Sequence, residues 1–197
     1  MKCFIFKGVD QVVRNSVNFR NLMQAVLEKS EASGWESAVK EWELDDVEED
    51  EALEESCVCG KENLRYLFTI RNIVNGNYLY PIGSSCIDRF GRADLSELAT
   101  VKEQLFKLLH DIEERKFITL SSDFFSRKLL LYLYVIGAFK ATEYNKYEPY
   151  NDYLFLLKMF NVRSCIRRQE DKATAIIMNS IKPFLYKLLV NKTRRGN

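Results

Sequence analysis

The sequence predicts an α+β protein, with a β-hairpin module in residues 1–92 and a mainly helical bundle in residues 93–197. Three observations carry this reading. Residues 66–82 alternate in polarity on both sides of Asn75-Gly76, the pattern of two strands joined by a tight turn. From residue 94 onward, apolar residues recur at three- and four-residue spacing, as on helices with one buried stripe. Three of the five cysteines, Cys57, Cys59 and Cys86, bracket the hairpin. At 197 residues and 47% hydrophobic content the chain suits one compact domain, or a small module plus a helical domain.

Taken in order, residues 3–6 read as a short strand. Residues 18–32 read as a helix capped by Asn18, with Leu22, Met23 and Val26 as its stripe and Gly34 as its stop. Trp35, Ala38, Val39 and Trp42 follow at helical spacing, which reads both tryptophans as core anchors rather than as a ligand platform. Composition then changes abruptly. Ten of residues 41–55 are acidic and none is basic. Such a run is either a solvated loop or an acidic surface that meets a basic partner, by imitating the phosphate spacing of a nucleic acid.

Next comes Cys57-Val58-Cys59-Gly60, where glycine permits the turn that aims both sulfurs inward. Tyr66, Phe68 and Ile70 alternate with Leu67, Thr69 and Arg71, and Tyr78, Tyr80 and Ile82 line the return strand. Gly83-Ser84-Ser85 opens a short helix that begins at Cys86. Thiols on a turn, a hairpin, and a thiol at a helix start give the layout of a treble-clef zinc finger.

This stretch resembles a signature of small proteins from phages and other mobile elements: C-x-C-G, a strand ending in Asn, an N-G turn, then G-S/N-x-C-I/V-x-x-F. It is carried here by Cys57-Val58-Cys59-Gly60, Ile70-Arg71-Asn72, Asn75-Gly76 and Gly83-Ser84-Ser85-Cys86-Ile87-Asp88-Arg89-Phe90. The resemblance covers about a sixth of the chain. It implies a zinc held by Cys57, Cys59 and Cys86, although a tetrahedral structural zinc takes four ligands. Arg89 stands where a second helix ligand belongs, and Phe68 stands near a strand position that carries cysteine in related sequences. The fold can bring in Cys3, His110 or Cys165 as the fourth ligand. Otherwise the three thiols pack as small hydrophobes without metal.

Beyond the finger, Asp94-Leu95-Ser96-Glu97 reads as a capping box for a helix that buries Leu95, Leu98, Val101, Leu105, Leu109 and Ile112. Ser121 or Ser122 caps the next helix, whose 129–136 run is apolar on every side and so predicts a central position. Residues 141–150 form a tyrosine-rich turn. Tyr144, Tyr147 and Tyr150 either stack on a partner or cover the end of the bundle. Asn151 or Asp152 caps a further helix. A last helical stretch from about residue 170 must kink or restart at Pro183. From residue 161 onward nine Lys or Arg stand against two acids, with clusters at Arg163, Arg167, Arg168 and at Lys192, Arg194, Arg195.

Several function classes are disfavoured. Net charge is +1, so there is no global pull toward nucleic acid or anionic lipid. An odd number of cysteines with a C-x-C suits a reducing cytosol, and the apolar run at residues 129–138 is too short for a bilayer. No secretory signal is expected at the N-terminus, where the apolar run is short. No P-loop, G-x-S-x-G or H-E-x-x-H motif is present, and one histidine limits acid–base chemistry, so a non-enzymatic role is expected.

The resemblance implies a phage or mobile-element protein in the cytoplasm of a bacterial host cell. The functional expectation is a stoichiometric inhibitor of a host defence effector such as a CRISPR nuclease, an anti-CRISPR protein. Its contacts would be Asp45, Asp46, Glu48, Glu49, Asp50, Glu51, Tyr78 and Tyr80. The alternative is an accessory protein that binds nucleic acid through the finger and the basic C-terminus.

Overall fold

The computed structural model describes the backbone of residues 6–162 and 164–195, and the side chains of residues 17–162 and 164–190. Cys3 and Arg163, and the side chains of Lys192, Arg194 and Arg195, lie outside the described residues. The architecture is α+β, as the sequence predicts. The chain divides into two compact units, residues 1–102 and 103–197, where the sequence reading divides it before residue 93.

The first unit opens with α1, Phe6–Glu28. Phe6 is therefore helical rather than part of a strand, and Asn18 is interior rather than a cap. Leu22 and Val26 are fully buried, as their spacing predicts. The helix ends at Glu28, ahead of Gly34, which instead precedes the short α2, Trp35–Ala38. A 3-10 turn, Val39–Glu41, follows, and Trp42 then begins a strand. Trp42 is fully buried, and its indole N–H donates to Ser30 Oγ at 2.9 Å. Trp35 is half-buried, held edge-on between Phe19 and Phe90 with both centroids at 5.5 Å.

The strands are β1 (Trp42–Glu49), β2 (Tyr66–Asn72) and β3 (Tyr78–Ile82), antiparallel in the order β1-β2-β3. Much of the acidic run is thus strand rather than loop. A bulge explains how. Leu44 pairs with Ile70 and Asp46 with Thr69, which leaves Asp45 as the extra residue. Strict alternation from Trp42 and Leu44 would turn Asp46 inward. The bulge shifts the phase so that Val47, opposite Phe68, is buried instead. Acids outside and Trp42, Leu44 and Val47 inside make β1 an amphipathic edge strand, and charge on an edge also discourages pairing with other chains.

The β2–β3 hairpin forms where the sequence places it, with a longer loop than a two-residue turn. Asn72 Oδ1 accepts the backbone N–H groups of Val74 and Asn75, and Gly76, at φ +77°, bonds back to Asn72 O. Next are α3, Ser84–Asp88, and α4, Ala93–Glu113. Because α4 starts at Ala93, Asp94 lies within its first turn and binds Arg92 instead of capping. The Arg92 guanidinium also donates to Trp42 O, which ties the approach to α4 to the start of β1.

In the second unit, Ser126 caps α5 (Arg127–Val135), its Oγ accepting Leu129 N–H at 3.0 Å. Ser121 and Ser122 belong to the preceding turn. The 129–136 run is not buried all round, since Leu131 and Val135 are exposed. Gly137, at φ +82°, ends α5. Ala138 N–H bonds to Leu133 O and Gly137 N–H to Tyr134 O, a Schellman motif. The next helix, α6, runs Pro149–Phe160 with Pro149 at its first position, so Asn151 and Asp152 are interior rather than caps. After α7 (Arg167–Ile176), a π segment, Ile177–Ile181, leads into α8 (Lys182–Arg195). The predicted break at Pro183 takes this form. Pro183 cannot donate to the carbonyl four residues earlier, and that carbonyl, Asn179 O, accepts Lys140 Nζ at 3.0 Å. Joined in this way, Arg167–Val190 is long and apolar enough to cross a membrane by length and composition, and 39% of its most apolar 18-residue window is buried within the protein. The run at residues 129–138 is too short to reveal this.

Candidate metal centre and partner surface

The three cysteines that the sequence singles out meet in the first unit. Gly60, at φ +85°, turns the chain after Cys59, and its N–H bonds to Cys57 O at 2.7 Å. Val58 N–H donates to Pro81 O at 2.9 Å, which ties this knuckle to β3. From α1, Asn21 Nδ2 donates to Cys59 O at 3.2 Å. Cys86 arrives on α3, whose first turn closes through Cys86 N–H to Gly83 O. The three sulfurs lie within 4.8 Å of one another, and Cys57 Sγ and Cys86 Sγ are 3.6 Å apart. All three residues are buried and unoxidised.

A hydrogen bond from the Cys86 thiol, aided by the backbone N–H groups of Cys59 and Gly83, pulls Cys57 down to about 5. The same sharing pushes Cys86 far up, and burial raises Cys59. Three buried thiols this close could hold a metal ion, on two grounds. Metal–thiolate bonds of about 2.3 Å in a tetrahedron place sulfurs roughly 3.8 Å apart, near the 3.6 Å between Cys57 Sγ and Cys86 Sγ. Backbone amides, Gly83 N–H at 3.4 Å from Cys57 Sγ among them, point at the sulfurs as they do around metal thiolates.

Among the described residues no fourth ligand joins the three. His110 pairs with Glu114 at 3.0 Å, and Cys165 lies 3.9 Å from Met159 Sδ. Arg89, in the vacant ligand position of the motif, stacks its guanidinium over the Phe19 ring at 5.3 Å. Phe68 is fully buried in the core.

The predicted contact residues fall into two groups. Asp46 and Glu48 lie on the outer face of the sheet with Tyr78 and Tyr80, and Asp45 is exposed at the bulge beside them. Tyr80 and Glu48, 32 residues apart in sequence, meet in a hydrogen bond of 3.1 Å from the phenol to the carboxylate. Burial of the hydroxyl and this carboxylate push Tyr80 up to about 12. The Arg71 guanidinium lies 6.0 Å from the Tyr78 ring centre, and Glu43, outside the predicted set, pairs across strands with Arg71 on the same face.

Glu49 and Asp50 hold the fold instead. Glu49 binds Arg65 at 3.1 Å. Asp50 accepts the backbone N–H groups of Ala52, Glu54 and Glu55, and these bonds, led by that of Glu55, hold its carboxyl below the usual range. Glu51 is exposed.

Of the three tyrosines that the sequence reading assigns to the turn, Tyr150 lies instead in the first turn of α6, where it packs on Tyr134 and Tyr153, while Tyr144 and Tyr147 project into solvent. Arg167 and Arg168 stand exposed at the start of α7. No protein-family model, curated protein or solved structure matches this chain.

Proposed function

We propose that this chain is a non-catalytic binding protein of a phage or mobile element, acting in the bacterial cytoplasm as a stoichiometric inhibitor of a host defence effector such as a CRISPR nuclease. The observation that carries the reading is the outer face of the sheet. It sets exposed carboxylates beside two half-exposed tyrosines, which suits a partner with a basic surface. Grooves that hold nucleic acid attract carboxylates by the field that attracts phosphates. Tyrosine then supplies rigid, desolvated contact area. In this reading Cys57, Cys59 and Cys86 hold a structural zinc that braces the knuckle against β3 and α3.

The decisive experiment combines Asp45→Asn, Asp46→Asn, Glu48→Gln and Glu51→Gln, leaving Glu49 and Asp50 to their internal partners. The native chain should block target cleavage by a sensitive CRISPR effector. The variant should keep its thermal stability, since exposed charges contribute little to it, yet associate at least tenfold more slowly at low salt. Failure of the native chain to inhibit any of a panel of effectors, together with salt-sensitive binding to DNA or RNA, would favour the nucleic-acid accessory role.

The zinc has its own measurement. Elemental analysis should find about one equivalent per chain, and Cys59→Ser should lower both metal content and melting temperature. Because ligand thiols must deprotonate, uptake should release protons and weaken as pH falls. Metal-free protein of full stability would reduce the three thiols to packing groups.

A further inference from the structure

The second unit contains a groove of about 510 Å³ that no motif in the sequence announces, formed by the 142–144 turn, α6, α7 and the π segment. Its size falls in the range of small-molecule sites, roughly 300–1,000 Å³. Asp152 lines it and is 95% buried, being 5% exposed. The first turn of α6, where the helix dipole favours negative charge, carries this carboxylate. One oxygen, Oδ2, accepts Asn145 Nδ2 at 2.7 Å, and among the described residues no cation pairs with it.

Asn145, itself buried, fixes the turn by also bonding Thr142 N–H and Lys140 O, so this wall is rigid. Lys172 lines the same groove from α7. Its ammonium rests 4.3 Å from the Phe155 ring centre and pairs with no carboxylate among the described residues. Ile176, the largely exposed Tyr144 ring and the buried Ser180 on the π segment also line the groove. Such π segments recur at functional sites because they re-aim side chains.

Opposite charges that share a groove without pairing leave both for a ligand. A simple cation would meet Lys172, and a simple anion would meet Asp152. We propose that the groove binds a small zwitterion of amino-acid type, its ammonium on Asp152, its carboxylate on Lys172, and an apolar side chain along Ile176 and Tyr144. Charge-assisted hydrogen bonds at both ends would set its orientation.

The probe is L-phenylalanine, compared with phenethylamine, which lacks the carboxylate, and 3-phenylpropanoate, which lacks the ammonium. Titrated into the full chain at millimolar concentrations, phenylalanine should give saturable shifts of the backbone NMR signals of Thr142, Asp152, Lys172 and Ser180. Each truncated probe should bind at least tenfold more weakly, because the site charge it leaves unpaired costs affinity. Asp152→Asn keeps an oxygen acceptor for Asn145 and should weaken binding tenfold or more. Lys172→Met, at an exposed helical position, should do the same and carries the test if the first variant misfolds. Equal binding of all three probes, or no saturable shift with phenylalanine, would overturn the proposal. Neither result bears on the sheet surface or on zinc.

Discussion

Two side chains, Asn72 and Glu41, organise the first unit at the scale of single residues. Asn72 is fully buried, and its amide donates to Glu41 Oε2 at 2.7 Å and to Lys29 O at 3.3 Å, while its oxygen caps the hairpin loop. Asn72→Ala strands these partners, so a loss of about 2–3 kcal/mol in urea unfolding is expected. Glu41 also accepts the backbone N–H groups of Glu31 and Ala32. The Asn72 bond, with these two, lowers the Glu41 carboxyl from its ordinary 4.5. A lowered carboxylate contributes stability that is fully present above about pH 4.5 and is lost as pH falls through the depressed folded value. Glu41→Gln should therefore flatten the acid limb of a melting-temperature profile, and an unchanged slope would remove Glu41 from the account.

Among the elements, β1 and α5 show how local chemistry yields to packing. Acids are poor strand formers, yet β1 forms because a bulge lets Trp42, Leu44 and Val47 all face inward. The α5 helix stops where Gly137 turns left-handed, and no atom lies within 4 Å of the position a Cβ would take. Gly137→Ala therefore tests backbone strain alone and should cost about 1–2 kcal/mol. A neutral result would mean that the turn relaxes without the left-handed residue.

Over the whole molecule the net charge is +1, so attraction of a basic partner cannot come from the chain's overall field. On the proposed inhibitor reading it would come from the local concentration of acids along β1. Physiological salt screens exposed charges beyond about 8 Å. The association rate of the native chain should thus fall with added salt toward that of the acid-neutralised variant, while dissociation, set by the tyrosines, should change little. Equal salt slopes for the two proteins would place the contact surface elsewhere.

What the sequence determined alone is what local rules encode. The α+β class, the strands around Asn75-Gly76, the helix at Cys86, the buried stripe of α4 and the break at Pro183 follow from periodicity, turn chemistry and the missing proline donor. So does the selection of Cys57, Cys59 and Cys86, because C-x-C-G and G-S-S-C are compact motifs. Tertiary structure decided the rest. The bulge at Asp45 is set by pairing with β2, and without it the acidic run reads as loop. Ser126, rather than its neighbours, caps α5, and Glu148-Pro149 rather than Asn151 opens α6, because several adjacent residues are equally able to cap and packing selects among them. The Glu48–Tyr80 bond and the shared groove of Asp152 and Lys172 join residues 32 and 20 positions apart. Only the folded backbone brings such residues together, since no local periodicity links them.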